Sequence, residues 1–267
     1  PPPPPQKPLS QEETVLRVMT YNILKGGRQR EQAILEVLRY VQPDLAVLQE
    51  VRDSRPVEDW ARSLGMRVWT TAERSPFRLA LMSRLPVTFW QTHRPFPPAI
   101  NPFLEAEVEC SSGERLRVYG VHLAPWYSIL TEAWRQWEIR TVLQKARAYL
   151  QDLCLLLGDF NTIGPSDTTD VRAMPLPLRL MILVQGQRIY RFAIPEVLRA
   201  GFVDCFRTLH PADAGRTLPA SAPNARLDYI FASPPLLPYL RACKVVGEPD
   251  VVREASDHLP LVAEFDL

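Results

Sequence analysis

Asn22, Glu50, His122, Asp159, Asp228 and the pair Asp257–His258 share one kind of place: each stands at the boundary of an apolar run. Tyr21–Asn22 follows VLRVM, Gln49–Glu50 follows LAVL, His122 follows RLRVYGV and Asp159 follows LCLLLG. Asp228 precedes YIFA, and Asp257–His258 precedes LPLVAEF. A carboxylate in the middle of a buried strand is costly unless it is paired or neutralised. At a strand end it can lean over the rim of a sheet, held by rigid backbone yet open to solvent. If several such ends meet at one rim, the acids crowd and repel, and a hard divalent cation relieves them. Oxygen donors of this kind suit Mg²⁺, Mn²⁺ or Ca²⁺ rather than Zn²⁺. Taken singly, an Asp or Asn after a strand is a turn former and a His there is polar surface. Their recurrence at six run boundaries points instead to a metal-dependent hydrolytic site. Gly158, just before Asp159, fits a sharp bend or a close backbone approach.

The elements that must hold these residues are read from periodicity. Val15–Tyr21 alternates like a strand. Gln29–Val41 sets Ala33, Ile34, Val37, Leu38 and Val41 on one helical face, and Pro43 closes it. Leu45–Gln49 is a short run of buried-strand type, and a helix is predicted near Val57–Leu64. Strands follow at about Met66–Thr71, Arg78–Ser83, Val87–Thr92, Phe103–Glu109 and Arg115–Val121. Ser128–Leu150 is the longest helical stretch. After the LCLLLG strand, Gly164–Ile194 reads as Pro-rich irregular chain and Pro195–Arg199 as a short helix. Leu227–Ala232, Leu240–Val246 and Leu259–Phe265 are the last strands. Many strands with interspersed helices imply two packed sheets with helices outside. They are expected to form one domain over 15–267, after a Pro-rich tail at 1–14.

The 267 residues are 46% hydrophobic and 23% charged, enough to bury a full core. A formal charge of +1 gives no sign of a dedicated polyanion binder, although a local basic patch can hide in a balanced total. Most basic residues are arginines, whose forks suit phosphate, but genome composition produces the same bias. Cys110, Cys154, Cys205 and Cys243 form no CxxC pair, which argues against a zinc ribbon or a dithiol redox motif. No run is long enough to span a bilayer; PLPLRLMILV (175–184) is short and is broken by Arg179. The start, PPPPPQKP, looks like a polyproline tail and carries no signal-peptide core. A soluble monomer is expected, either cytoplasmic or exported with its signal removed.

The pieces TYN (20–22), LQE (48–50), VHL (121–123), GDFN (158–161), LDYIF (227–231) and SDHLP (256–260) together resemble the endonuclease/exonuclease/phosphatase family. That group includes DNase I, the abasic-site endonucleases, neutral sphingomyelinases, deadenylases and inositol-polyphosphate phosphatases. Each string is weak alone; GDFN, LDYIF and SDH in this order are highly specific. RLALMSRLPV (78–87) also resembles the family's strand–turn–strand piece, with Ser83–Arg84 at its turn. The resemblance implies a DNase I-like four-layer α/β sandwich, two mixed β-sheets packed face to face with helices outside and a site at one end. It further implies Mg²⁺-dependent hydrolysis of a phosphate ester by water, with Mn²⁺ as the alternative metal. On this likeness Glu50 is the main metal ligand, with Asn22 and Asp257 close to the metal or phosphate. Asp159 would orient or deprotonate the attacking water, and Asn161 would hold that water or a phosphate oxygen. His258, oriented by Asp228, would contact the scissile phosphate as base or charge stabiliser. His122 would stabilise the same charge or protonate the leaving oxygen. Which group is the base, and whether one or two metals act, stays open. A histidine held in one tautomer by a carboxylate suits such work. His93 and His210 lack this context and are read as surface or loop residues.

The substrate is harder to read. A nuclease acting on DNA is favoured. Arg28, Arg30, Arg52, Arg55, Arg78 and Arg84 fall in loops or turns near site-proximal elements, where they could touch a nucleic-acid backbone. Trp126 and Tyr127, just beyond His122, could stack a base. Arg207 and Arg216–Thr217, ahead of LDYIF, are weaker candidate contacts. The alternative is a phospholipid or sphingomyelin phosphodiesterase that takes a lipid headgroup, with Pro175–Val184 dipping into a membrane surface. Against it, Leu180, Met181, Leu183 and Val184 are expected to pack under the loop. A reading of another class is a non-catalytic binding module that kept the fold. It is disfavoured because a docking surface needs no carboxylate to fix a histidine tautomer.

Overall fold

Alternation with period two decides which way each strand faces. Along β1 (Val15–Asn22), Leu16 and Val18 enter one apolar core while Met19 and Tyr21 enter another on the opposite side. The same division runs through the whole of the computed structural model, which describes residues 15–71, 77–95 and 101–267. The Pro-rich tail lies outside the described residues.

After β1 come α1 (Glu31–Val41), β2 (Leu45–Val51), α2 (Ser54–Ser63), β3 (Arg67–Thr70) and β4 (Arg78–Ser83). Next are β5 (Val87–His93), β6 (Phe103–Glu109), β7 (Arg115–His122), α3 (Ile129–Ala146) and β8 (Cys154–Asp159). Then follow α4 (Leu176–Val184), α5 (Ala193–Arg199), β9 (Val203–Asp204) and α6 (Cys205–Leu209). The last are β10 (Asp228–Ala232), β11 (Leu240–Val245), α7 (Val251–Ala255) and β12 (Leu261–Asp266).

Two six-stranded mixed sheets result, ordered β11-β12-β1-β2-β4-β3 and β5-β6-β7-β8-β10-β9. Their inner faces interlock through Val18, Val47 and Leu261 of the first and Leu104, Val118 and Leu157 of the second. Ile34 of α1, Trp60 of α2 and Val252 of α7 cover the first sheet's outer face. Ile139 and Val142 of α3 and Val197 of α5 cover that of the second. This is the expected four-layer sandwich. Each sheet has a parallel pair at its middle, β1–β2 in one and β7–β8 in the other. Their carboxyl ends carry Asn22, Glu50, His122 and Asp159.

Three expectations need correction. The stretch read as irregular, Gly164–Ile194, contains a 3-10 turn at Val171–Ala173 and the helix α4. Its prolines do not prevent a helix, because Pro175 caps it and Pro177 lies in the first turn, where a missing N–H costs nothing. Leu180, Leu183 and Val184 do not pack under that segment; they are 52%, 58% and 87% exposed, and Ile182 is the residue of α4 that is buried. His93 is not a surface residue. It ends β5, stacks on Phe103 at 4.6 Å between ring centres and sets Nε2 2.6 Å from Glu105 Oε2. His210 follows α6, with Nε2 2.8 Å from the Cys243 carbonyl.

Candidate active site

Strand parity carries the core's logic into the site. Asn22 continues the inward series Leu16, Val18; His122 continues Leu116, Val118; Asp159 continues Leu155, Leu157; and Asp228 begins the series Ile230, Ala232. All four thus lie on the facing sides of the two sheets, where the apolar core stops. In the second sheet His122 and Asp228 are both register partners of Asp159, one from each neighbouring strand.

Glu50 arrives differently. Ala46 and Leu48 face the outer core, so regular alternation would send Glu50 outward as well. The register with β4 slips between Leu48 and Val51, and Glu50 has φ of 63°, the signature of a bulge that re-aims a side chain. β2 therefore runs past Gln49, and Glu50 lies within the strand instead of beyond its end. Its Oε1 accepts from Asn22 Nδ2 at 3.3 Å and its Oε2 from the Lys25 amide at 2.6 Å.

Asp159 is the hub. Its Oδ1 accepts from the Asn161 amide at 2.8 Å, and its Oδ2 accepts from Asn22 Nδ2 at 3.0 Å. The same Oδ2 lies 3.6 Å from His122 Nε2 and 3.7 Å from His258 Nε2. Both gaps are too long for hydrogen bonds, so each Nε2 can still engage a substrate oxygen. His258 sets Nδ1 2.8 Å from Asp228 Oδ2, which fixes its tautomer and ring plane. Among the described residues, Asp159, Asp228 and His258 offer ligand-type atoms within 4.8 Å of one another.

Charge accounts for the proton on His258. Burial alone would lower its pKa, but Asp228, Asp159 and Asp257 outweigh burial and push it up to about 10. Burial also raises the Asp228 carboxyl, against the pull of the imidazole. These two shifts compete for one proton. It belongs on the imidazole, because two further carboxylates act on the ring, whereas Asp159 only repels charge on Asp228.

Several supports escaped the sequence reading. Ser256 donates Oγ to the Asn22 carbonyl at 2.6 Å and accepts from the His258 amide at 3.2 Å, tying the SDH turn to β1. Thr217, read as a candidate substrate contact, is instead fully buried, and its Oγ1 accepts from the amides of Leu227 and Asp228 at 3.2 and 3.4 Å. Asn101 Nδ2 donates to the His122 carbonyl at 3.0 Å. Glu132, Arg135 and Glu138 of α3 are buried, and Arg135 and Glu138 hold the strap that follows His122. Glu138 accepts from the Ala124 amide at 2.8 Å, and Arg135 Nη1 donates to the carbonyls of Ala124 and Trp126 at 2.7 and 2.6 Å. Helical spacing places Glu132 and Arg135 on the face of Ile139 and Val142, a signal visible in the sequence. Gly158 meets its expectation: with φ of 147°, a Cβ there would sit 2.0 Å from the Val121 carbonyl oxygen.

The remaining candidates divide. Asn161 is at the site, with φ of 51° and Nδ2 donating to the Leu123 carbonyl at 3.0 Å. Asp257 adjoins His258, and its charge reaches Tyr21. Trp126 stands on the strap past His122, 64% exposed at a φ of 80°. Arg216 precedes Thr217 and has a buried Nε without a partner among the described residues. Arg84 is not brought to the site. It follows Ser83, which pairs with Leu45 at the opposite end of β2 from Glu50, roughly 17 Å away by the rise of a strand. Its guanidinium donates to the carbonyls of Pro43 and Leu64. Arg207 is committed to Asp167 at 2.7 Å and to the carbonyls of His210 and Pro211. Arg30 clamps the Leu24 and Ala255 carbonyls.

Residues 19–258 match the Endonuclease/Exonuclease/phosphatase family. No curated protein sequence matches the chain at a significant level. Among solved structures, an AP endonuclease from Archaeoglobus fulgidus superposes with a TM-score of 0.75 at 20% identity, covering 94% of this chain and 100% of that one. A 3'-5' exonuclease from Neisseria meningitidis gives 0.71 at 21% identity, covering 94% and 100%. TDP2 from D. rerio, solved with a single-strand DNA product, gives 0.69 at 18% identity, covering 94% and 99%. At these identities the likeness concerns the fold.

Proposed function

The chain belongs to the endonuclease/exonuclease/phosphatase family, and on that premise we propose that it is a metal-dependent phosphodiester hydrolase, specifically a nuclease acting on DNA. The observation that carries the hydrolase reading is the convergence on Asp159 Oδ2 of Asn22 Nδ2 at 3.0 Å and of two imidazole nitrogens at 3.6 and 3.7 Å. A packing role needs no such arrangement.

The donor set fits a hard cation such as Mg²⁺ or Mn²⁺. Glu50 and Asp159 supply oxygen, share the Asn22 amide and come from opposite sheets, with Asp257 at the flank. The tighter cluster of Asp159, Asp228 and His258 suits it less, because Asp228 Oδ2 and His258 Nδ1 are occupied by each other. When bound, the cation supplies charge stabilisation to the phosphoryl group. Asp159, anchored through Oδ1 by the Asn161 amide, keeps Oδ2 to orient the attacking water and take its proton. His258, with Nδ1 held by Asp228, presents Nε2 to a phosphoryl oxygen as a charge stabiliser. His122 presents Nε2 on the other side of Asp159 and protonates the leaving oxygen.

Trp126, on the strap past His122, and Arg216, beside Thr217, are the candidate contacts to base and phosphate. A second reading, a phospholipid or sphingomyelin phosphodiesterase, gains support from the exposed leucines of α4. A substrate panel separates them. Supercoiled or abasic DNA is expected to be nicked with Mg²⁺ or Mn²⁺ and spared in EDTA. Faster hydrolysis of sphingomyelin than of any DNA would replace the nuclease with the lipid enzyme. A generic bis-aryl phosphodiester left untouched with either metal would favour the binding module.

A further inference from the structure

α4 shows its apolar side to solvent. Leu176, Leu180, Leu183 and Val184 follow one helical stripe and are 61%, 52%, 58% and 87% exposed. Beside the helix, Ile129 and Leu130 open α3 with 43% and 79% exposure. Of the twelve large hydrophobic residues left exposed among the described residues, eight fall within 126–134 or 176–184. The two stretches are fastened together: Gln185 accepts from the Ile129 amide at 2.7 Å and donates Nε2 to the Tyr127 carbonyl at 3.0 Å. A concentration of this kind marks a contact surface.

The charges around the patch say what it contacts. Residues 171–195 contain four arginines and no carboxylate. Arg172, Arg179 and Arg188 are exposed and make no ion pair among the described residues. On the α3 side, Glu132 is buried against Arg135 and adds no free negative charge. We infer that α4 and the start of α3 form a docking surface for an anionic lipid membrane, with the leucines among the acyl chains and the arginines at the headgroups. At nine residues α4 is about 13 Å long, less than half of a bilayer core, so it lies in the interface without crossing it. A second copy of the chain fits poorly, because a two-fold contact would set these arginines against themselves. A nucleic acid would leave the leucines unused.

The surface adjoins the active site. Tyr127, whose carbonyl Gln185 holds, lies within the electrostatic reach of Asp159 and Asp228. Docking therefore sets the mouth of the site beside the lipid surface. The inference does not depend on which phosphate ester is cleaved, and its test needs no turnover.

The full chain is sedimented with vesicles of phosphatidylcholine alone and of phosphatidylcholine containing about one quarter phosphatidylglycerol. Binding to the anionic vesicles is expected, and L180Q/L183Q/V184Q should weaken it about tenfold or more. Arg179→Gln with Arg188→Gln should weaken it by roughly fivefold per residue. Both variants should keep the parental circular dichroism and thermal midpoint, which shows that they are folded. No binding to anionic vesicles by the parent, or equal binding by the triple variant, overturns the inference. So does a parental dimer that the triple variant abolishes in the absence of any vesicle binding.

Discussion

Asp159 is read by four neighbours at once, the Asn161 amide on one oxygen and Asn22, His122 and His258 around the other. Removing its charge while keeping its shape separates catalysis from folding. Asp159→Asn is expected to retain the parental circular dichroism and to lose about a thousandfold or more in kcat; His258→Ala should do the same. Near-normal turnover in either variant sinks the roles assigned to them. At this scale the sequence was informative because a polar residue at the end of an apolar run is rarely there for burial. Seven of the eight residues assigned to catalysis or metal stand at such a boundary; the eighth, Asn161, was named only through the family likeness of GDFN. Glu50 was found for a reason the structure revises, since its inward aim depends on a bulge that no local pattern announced. Arg84 failed because a turn residue carries no mark of which end of the sheet it occupies.

Helix α5 shows how elements are fastened behind the site. Glu196 accepts from Gln136 Nε2 at 2.6 Å and from Arg140 Nη2 at 2.7 Å, both on α3, while Arg199 approaches at 3.1 Å. The Arg140 hydrogen bond, opposed by burial and aided by Gln136, holds the Glu196 carboxyl down from 4.5 to about 2. A depressed folded-state pKa gives stability that is present above the unfolded value and is lost as pH falls toward the folded one. Glu196→Gln should therefore cost about 1–2 kcal/mol at pH 7, the figure being modest because Arg140 and Arg199 are more than half exposed. That difference should shrink in urea titrations as pH drops from about 4.5 toward 2. A gap that stays constant across this range would show that packing, not the ion pair, holds the two helices. Element types and most boundaries were legible from periodicity. Four elements went unread: β9, α6 and α7 are five residues or fewer, too short to show a period, and α4 was obscured because its prolines look like breakers until one knows that they stand at its first turn.

At the scale of the molecule, the site exists because two separately built sheets end at the same rim. Glu50 comes from the first and Asp159 from the second, and the Asn22 amide bridges them across the interface. A cation held there stitches the sheets together and binds only the folded chain. At about a hundredfold excess over its Kd, Mg²⁺ is expected to raise the thermal midpoint by roughly 5–10 °C. Glu50→Gln should lose most of that rise, and an unchanged midpoint in the parent would remove the metal from this place. The sequence by itself determined the strands, their inward and outward faces, the acids and imidazoles at their ends and, through their order, the family. Those features are local, set by side-chain chemistry and a period of two. Tertiary structure alone decided that the ends meet on one side, that Glu50 turns inward, that Arg84 sits at the far rim and that α4 bares its leucines. Each of these depends on which strands pair and where the register slips, and that is fixed by contacts between residues far apart in the chain.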